Sequence, residues 1–224
     1  MKKKDSKDLK KLDLEKLEQE FFSRHDPELL PVLRRAVVGI AGAGGLGSNV
    51  AASLARAGVG KLIIADLDRV YPSNLNRQQY FIDQIGRPKV EALRENLKRM
   101  NPFSEYEIHE IRITPRNIKK LFGEAEILVE AFDLATEKSM LINTWLSLFP
   151  DRPIVAASGL SGFGKNHKIR TRKMGQLYLC GDEESEPTET VSPMAPRVGI
   201  VANMQANLVI ELLWKRHRSG RKSA

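Results

Sequence analysis

Val37-Val38-Gly39-Ile40-Ala41-Gly42-Ala43-Gly44-Gly45-Leu46-Gly47 is the stretch that decides the fold. Residues 37–40 are a short, continuous apolar run of the kind found in a buried parallel strand. The run passes directly into G-x-G-x-x-G, and the small residues of 45–57 then read as a helix closed by Gly58-Val59-Gly60. Strand, glycine loop and helix in that order make a phosphate cradle. Glycines let backbone approach a phosphate without a Cβ, and the helix start offers free N–H groups to the anion. A helix start with glycines present only for close packing is the plainer reading of the same pattern.

Working outward, residues 61–66 form a second apolar run ending on Asp66, where a carboxylate can accept hydrogen bonds from both ribose hydroxyls. An irregular stretch over 68–86 follows, and Pro88 then opens a helix to about residue 100. Strands are expected over 106–113, 125–132 and 153–158, with helices over 115–122 and 136–149 between them. Beyond Gly159 the alternation stops. Residues 165–172 and 175–179 read as an antiparallel pair, 181–196 as a Pro- and Glu-rich loop, and 197–215 as a last helix with Val198, Val201, Leu208, Leu212 and Leu213 on its inner face. The fold class expected is α/β, a Rossmann-like doubly wound and mainly parallel sheet with antiparallel strands and a C-terminal helix added. The chain divides into a helical extension over 1–30, with Leu9, Leu12, Leu17 and Phe21 as its apolar stripe, one nucleotide-binding domain over 31–216 and a basic tail over 217–224.

Composition narrows the function classes. The chain has 224 residues, 42% hydrophobic and 29% charged, with a formal charge of 36 − 28 = +8. Its one cysteine, Cys180, excludes an intrachain disulfide and a cysteine-rich zinc site. The lysine-rich start lacks an apolar segment, so no signal peptide is expected. The most apolar stretch, 36–47, is interrupted by glycines and falls short of the roughly 18–20 apolar residues that span a bilayer. A cytoplasmic setting without membrane contact is expected. Cations gather in 165–173 and 215–222 and acids in 182–189. Such runs are usually solvated faces, with an acidic protein or nucleic acid as the alternatives. His25, His109, His167 and His217 have no ligand spacing with one another or with Cys180.

The glycine loop and Asp66 admit a dinucleotide or ATP alike. The discriminating residues are Asp66-Leu67-Asp68-Arg69-Val70-Tyr71-Pro72-Ser73-Asn74-Leu75-Asn76-Arg77-Gln78 and Gly86-Arg87-Pro88-Lys89. Arg77 and Lys89 place cations near the carboxyl ends of the strands, where phosphates would lie. Asn74 offers both a donor and an acceptor. Lys89 in the first turn of a helix opposes the macrodipole unless an anion is near.

The string D-x-D-x-V-x-x-S-N-L-x-R-Q, preceded by G-x-G-G-L-G and followed by G-x-P-K-V, resembles the ThiF/MoeB superfamily, which includes the ubiquitin-activating enzymes. Residues 194–199 and 202–207 are similar to the short, zinc-free form of the sulfur-carrier adenylyltransferases. The resemblance implies transfer of AMP from ATP to the C-terminal glycine carboxylate of a ubiquitin-like sulfur carrier with a Gly-Gly tail, in thiamine biosynthesis. It implies ATP and Mg²⁺ as cofactors, no zinc, a homodimer and a sulfur-donor protein as a further partner. By the same resemblance Gly42, Gly44, Gly45, Gly47, Asp66, Ser73, Asn74, Arg77 and Lys89 bind nucleotide, and Asp133 holds Mg²⁺. Arg24 reaches into the neighbouring subunit's site, and Cys180 takes part in sulfur or acyl transfer. The plainer readings are a helix cap for Asp133, a salt-linked loop for Arg24 and a small core residue for Cys180. The residue chemistry agrees with adenylation: a carboxylate is already nucleophilic, so catalysis reduces to positioning and charge neutralisation.

Three other classes remain in view. A nicotinamide oxidoreductase shares the glycine loop, but none of Tyr71, Tyr80, Tyr106 and Tyr178 has a lysine four residues on. A relative adenylating tRNA would use the basic C-terminal end, although nucleic acid is not the expected partner. A non-catalytic carrier-binding subunit would have lost the nucleotide residues that this chain retains.

Overall fold

The computed structural model describes residues 14–222. The first part of the expected N-terminal helix, including Leu9 and Leu12, lies outside the described residues. Seven strands form one sheet in the order β3-β2-β1-β4-β5-β7-β6. They are β1 (Val37–Ala41), β2 (Lys61–Asp66), β3 (Glu105–Glu110), β4 (Ile127–Glu130), β5 (Ile154–Ala157), β6 (Arg170–Met174) and β7 (Leu177–Gly181). Every pairing is parallel except that of β6 with β7.

The helices are α1 (Leu14–Phe21), α2 (Leu30–Arg35), α3 (Gly45–Ala57), α4 (Lys89–Met100), α5 (Ile118–Phe122), α6 (Ala135–Leu148) and α7 (Ala195–Lys222). One core joins α3, α4 and α7 to a sheet face through Val38, Ile40, Val50, Leu54, Leu93 and Val209. A second core joins α5 and α6 to the other face through Ile63, Phe122, Leu128, Leu141 and Trp145. The sheet is therefore buried on both sides, which is why its central strands are continuous apolar runs rather than alternating ones.

The expected α/β architecture holds, with two differences of detail. The antiparallel pair is no separate ribbon, because β7 lies parallel to β5, with Ile154 opposite Leu177 and Ala157 opposite Cys180. The hairpin thus extends the main sheet, and only β6 is an edge. The last helix is also longer than expected, running to Lys222. Val198, Val201, Leu208, Leu212 and Leu213 are all buried, mainly against α3 and β5. Among the described residues no helix is long and apolar enough to cross a membrane.

Strand order reverses between β1 and β4. In an open parallel sheet this switch point splays the loops at the carboxyl ends and leaves a crevice there. Gly42 to Gly47 forms one wall of that crevice, and Ala131 to Asp133 the other.

Candidate active site

The glycine loop is tight because its own backbone closes on itself. Gly42 has φ +99°, and a Cβ there would lie 2.7 Å from the Ala131 carbonyl oxygen across the crevice. A Cβ on Gly47 would lie 1.9 Å from the Gly42 carbonyl oxygen, inside any allowed contact. Gly47→Ala is therefore expected to force the loop open, abolish nucleotide binding in an equilibrium titration and cost about 1–3 kcal/mol of stability in denaturant unfolding. Gly44 is the N-cap of α3. It bears no side chain to satisfy the first-turn N–H groups, which leaves them to an anion.

Asp66 stands beside the loop. Its Oδ2 accepts the Ala43 N–H at 2.6 Å and its Oδ1 the Asp68 N–H at 2.7 Å. Burial pushes its carboxyl up, while Lys89 and these two N–H groups work to keep it ionised. Each oxygen retains a lone pair for a ribose hydroxyl.

The irregular segment beyond β2 is built from two 3₁₀ turns, Pro72–Asn74 and Ile82–Gln84. Asn74 Oδ1 accepts the Tyr71 N–H at 3.0 Å, so its acceptor is used within the turn and its amide N–H groups remain for a ligand. Arg77 lies along Gly45, its Nε 3.7 Å from where a Cβ would sit, and donates to the Ser73 carbonyl and Asn76 Oδ1. Ser73 is exposed beside it. Lys89, the first residue of α4, is 5% exposed, and its Nζ lies 2.7 Å from Asp68 Oδ2.

Several groups that hold this segment in place escaped the sequence reading. Asn49 donates to the Gly45 carbonyl at 2.6 Å and the Arg77 carbonyl at 3.0 Å, and accepts from Gln79 Nε2 at 2.6 Å. Ser48 Oγ accepts the Gln79 N–H at 3.1 Å, and the Tyr80 hydroxyl donates to the Ala43 carbonyl at 2.7 Å. Together they clamp the phosphate-facing residues onto the glycine loop. Their sequence signal was two polar residues in an otherwise small and apolar helix.

Asp133 follows β4 at the opposite wall, exposed and without a hydrogen bond or ion pair. It does not cap α6: the N-cap is Leu134, with no side-chain cap bond. Just before it, Glu130 is fully buried, bridged to Lys138 Nζ at 2.9 Å, and accepts the Phe132 N–H at 2.7 Å. Lys138 also donates to the Ala157 carbonyl at 3.1 Å, so the ends of β4 and β5 are tied to α6.

The remaining candidates lie elsewhere. Arg24 is exposed just beyond α1, and its neighbour His25 bonds the Arg56 carbonyl at the far end of α3. A 13-residue helix separates that end from the glycine loop by about 20 Å. Within its own chain Arg24 is remote from the site.

Cys180 is buried in the core on β7, where burial pushes its thiol up. A thiol so placed is protonated and shielded at neutral pH, which corrects the expectation of sulfur or acyl chemistry there.

The basic strand and the acidic run partly neutralise each other. Arg170 and Arg172 pair with Glu183, and Lys168 pairs with Glu184. Deeper in, Arg197 at the start of α7 forms a buried ion pair with Asp182. Burial works to raise the Asp182 carboxyl, but the Ser185 hydroxyl, the Glu184 and Ser185 N–H groups and Arg197 together bring it down to about 2. A depressed carboxylate stabilises the fold above its unfolded value near 3.9 and loses that contribution as pH falls toward 2. Asp182→Asn is therefore expected to flatten the acid-unfolding profile between about pH 4 and 2 and to lower stability at pH 7, both read by circular dichroism.

The crevice, its anion-facing loop, Asp66 and the two cations define a nucleotide-binding α/β domain with its phosphate site at the sheet's switch point. The ThiF family model matches residues 18–223, and the chain belongs to that family. It is 32% identical over 180 residues to the sulfur carrier protein ThiS adenylyltransferase of Escherichia coli K12, covering 78% of this chain and 70% of that one. It is 33% identical over 195 residues to the adenylyltransferase and sulfurtransferase uba4 of Aspergillus niger, covering 81% of this chain and 40% of the fungal protein. The chain thus spans well under half the length of that fungal relative. Its fold matches E. coli tRNA N6-threonylcarbamoyladenosine dehydratase, TcdA, in complex with AMP, with a TM-score of 0.80, 19% identity, and coverage of 89% of this chain and 94% of that one.

Proposed function

We propose that this chain is an ATP-dependent adenylyltransferase that activates the C-terminal glycine carboxylate of a ubiquitin-like sulfur carrier, the carrier of thiamine biosynthesis. The observation that carries the reading is the convergence of Asp66, the α3 N-terminus, Arg77 and Lys89 on one crevice whose opposite wall ends in the unpartnered Asp133. Asp66 takes the ribose, the glycine loop the phosphates, and Arg77 and Lys89 the charge that develops on the α-phosphate and on departing pyrophosphate. A carrier carboxylate oxygen attacks the α-phosphorus, the bond to the bridging oxygen breaks, and pyrophosphate carries the electrons away. No general base is required.

Asp133 fits Mg²⁺, which takes one or two carboxylates and completes its shell with phosphates and water. When bound, the ion would screen phosphate charge. No group of three or more potential metal ligands occurs among the described residues, which suits such a site and leaves nothing suited to zinc. In a homodimer of this chain, Arg24 acts on the neighbouring site.

The test is ATP–pyrophosphate exchange with a purified carrier ending in Gly-Gly, beside Arg77→Ala and a carrier lacking its last glycine. Carrier-dependent exchange lost in both controls supports the reading. ATP binding without carrier-dependent exchange overturns it. Salt-sensitive tRNA binding would then favour the exposed cations Lys215, Arg216 and Arg218 on α7 as the contact for another acceptor.

A further inference from the structure

Gln78 is 9% exposed, yet its carboxamide has no hydrogen-bond partner among the described residues. Buried polar groups in folded proteins are nearly always paired, so an orphaned amide calls for a physical reason. The backbone around it is fully engaged. The Gln78 N–H donates to the Asn74 carbonyl at 3.0 Å, its carbonyl accepts from Tyr80 at 2.9 Å, and the flanking Arg77 and Gln79 are both held by the Asn49 clamp. The amide is thus pinned in position rather than left over in a loose loop. It faces Gly44, where an added Cβ would lie 3.9 Å from Nε2.

Three successive residues order what passes this surface. Ala43 is bonded to the ribose carboxylate Asp66, Gly44 faces Gln78, and Gly45 faces Arg77. Reading outward from the ribose, the first phosphate meets Gly44 and the later ones meet Arg77.

We propose that the Gln78 carboxamide is the α-phosphate donor of the site, waiting unpaired for a nucleotide whose first phosphate lies against Gly44. The inference rests on the adenylylation reading and deepens it. Gln78 would hold the phosphorus that is attacked, whereas Arg77 serves the leaving pyrophosphate. An amide suits this place because it donates to an anion without adding charge that would bind the departing group equally well. The unpaired state carries a desolvation penalty in the free protein, which the nucleotide relieves.

Two kinds of change follow, of opposite sign. Gln78→Leu removes the orphaned group, so the nucleotide-free protein melts at a higher temperature than wild type, while its affinity for ATP and for AMP falls by the same factor, about tenfold or more. Gln78→Glu, nearly isosteric, sets a carboxylate against the phosphate and weakens both ligands further. Adenosine, which lacks the phosphate, binds all three proteins alike.

The measurement is equilibrium titration of full-length wild type and both variants with ATP, AMP and adenosine, alongside thermal unfolding without ligand. Equal AMP affinity in wild type and Gln78→Leu overturns the inference, as does an equal loss for adenosine. A lowered melting temperature for Gln78→Leu also overturns it, since the amide would then be contributing to the fold. Wild-type protein that binds no nucleotide sinks the adenylylation reading and this inference with it. Wild-type protein that binds nucleotide while Gln78→Leu binds it equally well sinks this inference alone.

Discussion

Lys89→Met is expected to lower carrier-dependent ATP–pyrophosphate exchange about 10²–10³-fold while the protein stays folded. Methionine keeps most of the apolar stem that the buried lysine packs into the start of α4, and removes only the charge. In the structure that charge is held by Asp68 Oδ2 at 2.7 Å, and the Asp68 side chain is 66% exposed. An ion pair with so exposed a partner is weak, so a phosphate can take Asp68's place without large cost. The cation also sits at a helix N-terminus, against the macrodipole, where an incoming anion relieves the conflict. If Lys89→Met melts like wild type and exchanges at the wild-type rate, Lys89 is only the structural partner of Asp68 and the site has lost one of its two cations.

The second large effect concerns stability. Lys138→Met is expected to destabilise the protein by about 3–5 kcal/mol at pH 7 in urea unfolding, because it leaves the fully buried Glu130 without its cation. Burial already pushes the Glu130 carboxyl up, and Lys138 is the strongest influence holding it down. Without Lys138, the folded carboxyl titrates higher still. A group whose folded value is raised loses its stability contribution as pH rises past the unfolded value, so the deficit of Lys138→Met against wild type is greatest at neutral pH and shrinks as pH falls toward 5. The double variant Glu130→Gln, Lys138→Met should recover most of the loss. A pH-independent deficit, or one that the double variant does not repair, would contradict this account. The same carboxylate accepts the Phe132 N–H, so the turn that presents Asp133 depends on it.

Much of this was legible in the sequence, and for a local reason. The apolar run 37–40, the glycines at 42, 44, 45 and 47, and Asp66 closing β2 each follow from rules that act over a few residues: strand patterning, close backbone approach and helix-terminal N–H groups. Arg77 and Lys89 were conspicuous because cations at those places are hard to explain without an anion. Element ends were less legible, and α7 runs past its expected stop at Lys215 because no proline or glycine interrupts it until Gly220.

What the tertiary structure alone decided depends on chain segments far apart in sequence. Asn49, Ser48 and Tyr80 matter because α3 and the segment after β2 meet over about thirty residues of separation. Cys180 is inert because β7 joins β5 inside the sheet, which no local pattern around it reveals. The cations of β6 face the acids of 183 and 184 across the hairpin's end, so a strand that reads as a docking patch partly neutralises itself. The orphaned amide of Gln78 is visible only once its neighbours are in place. Local propensity and spacing identify the elements and the chemistry they can carry, whereas burial, pairing and reach are set by register between distant strands and helices, which a one-dimensional pattern does not contain.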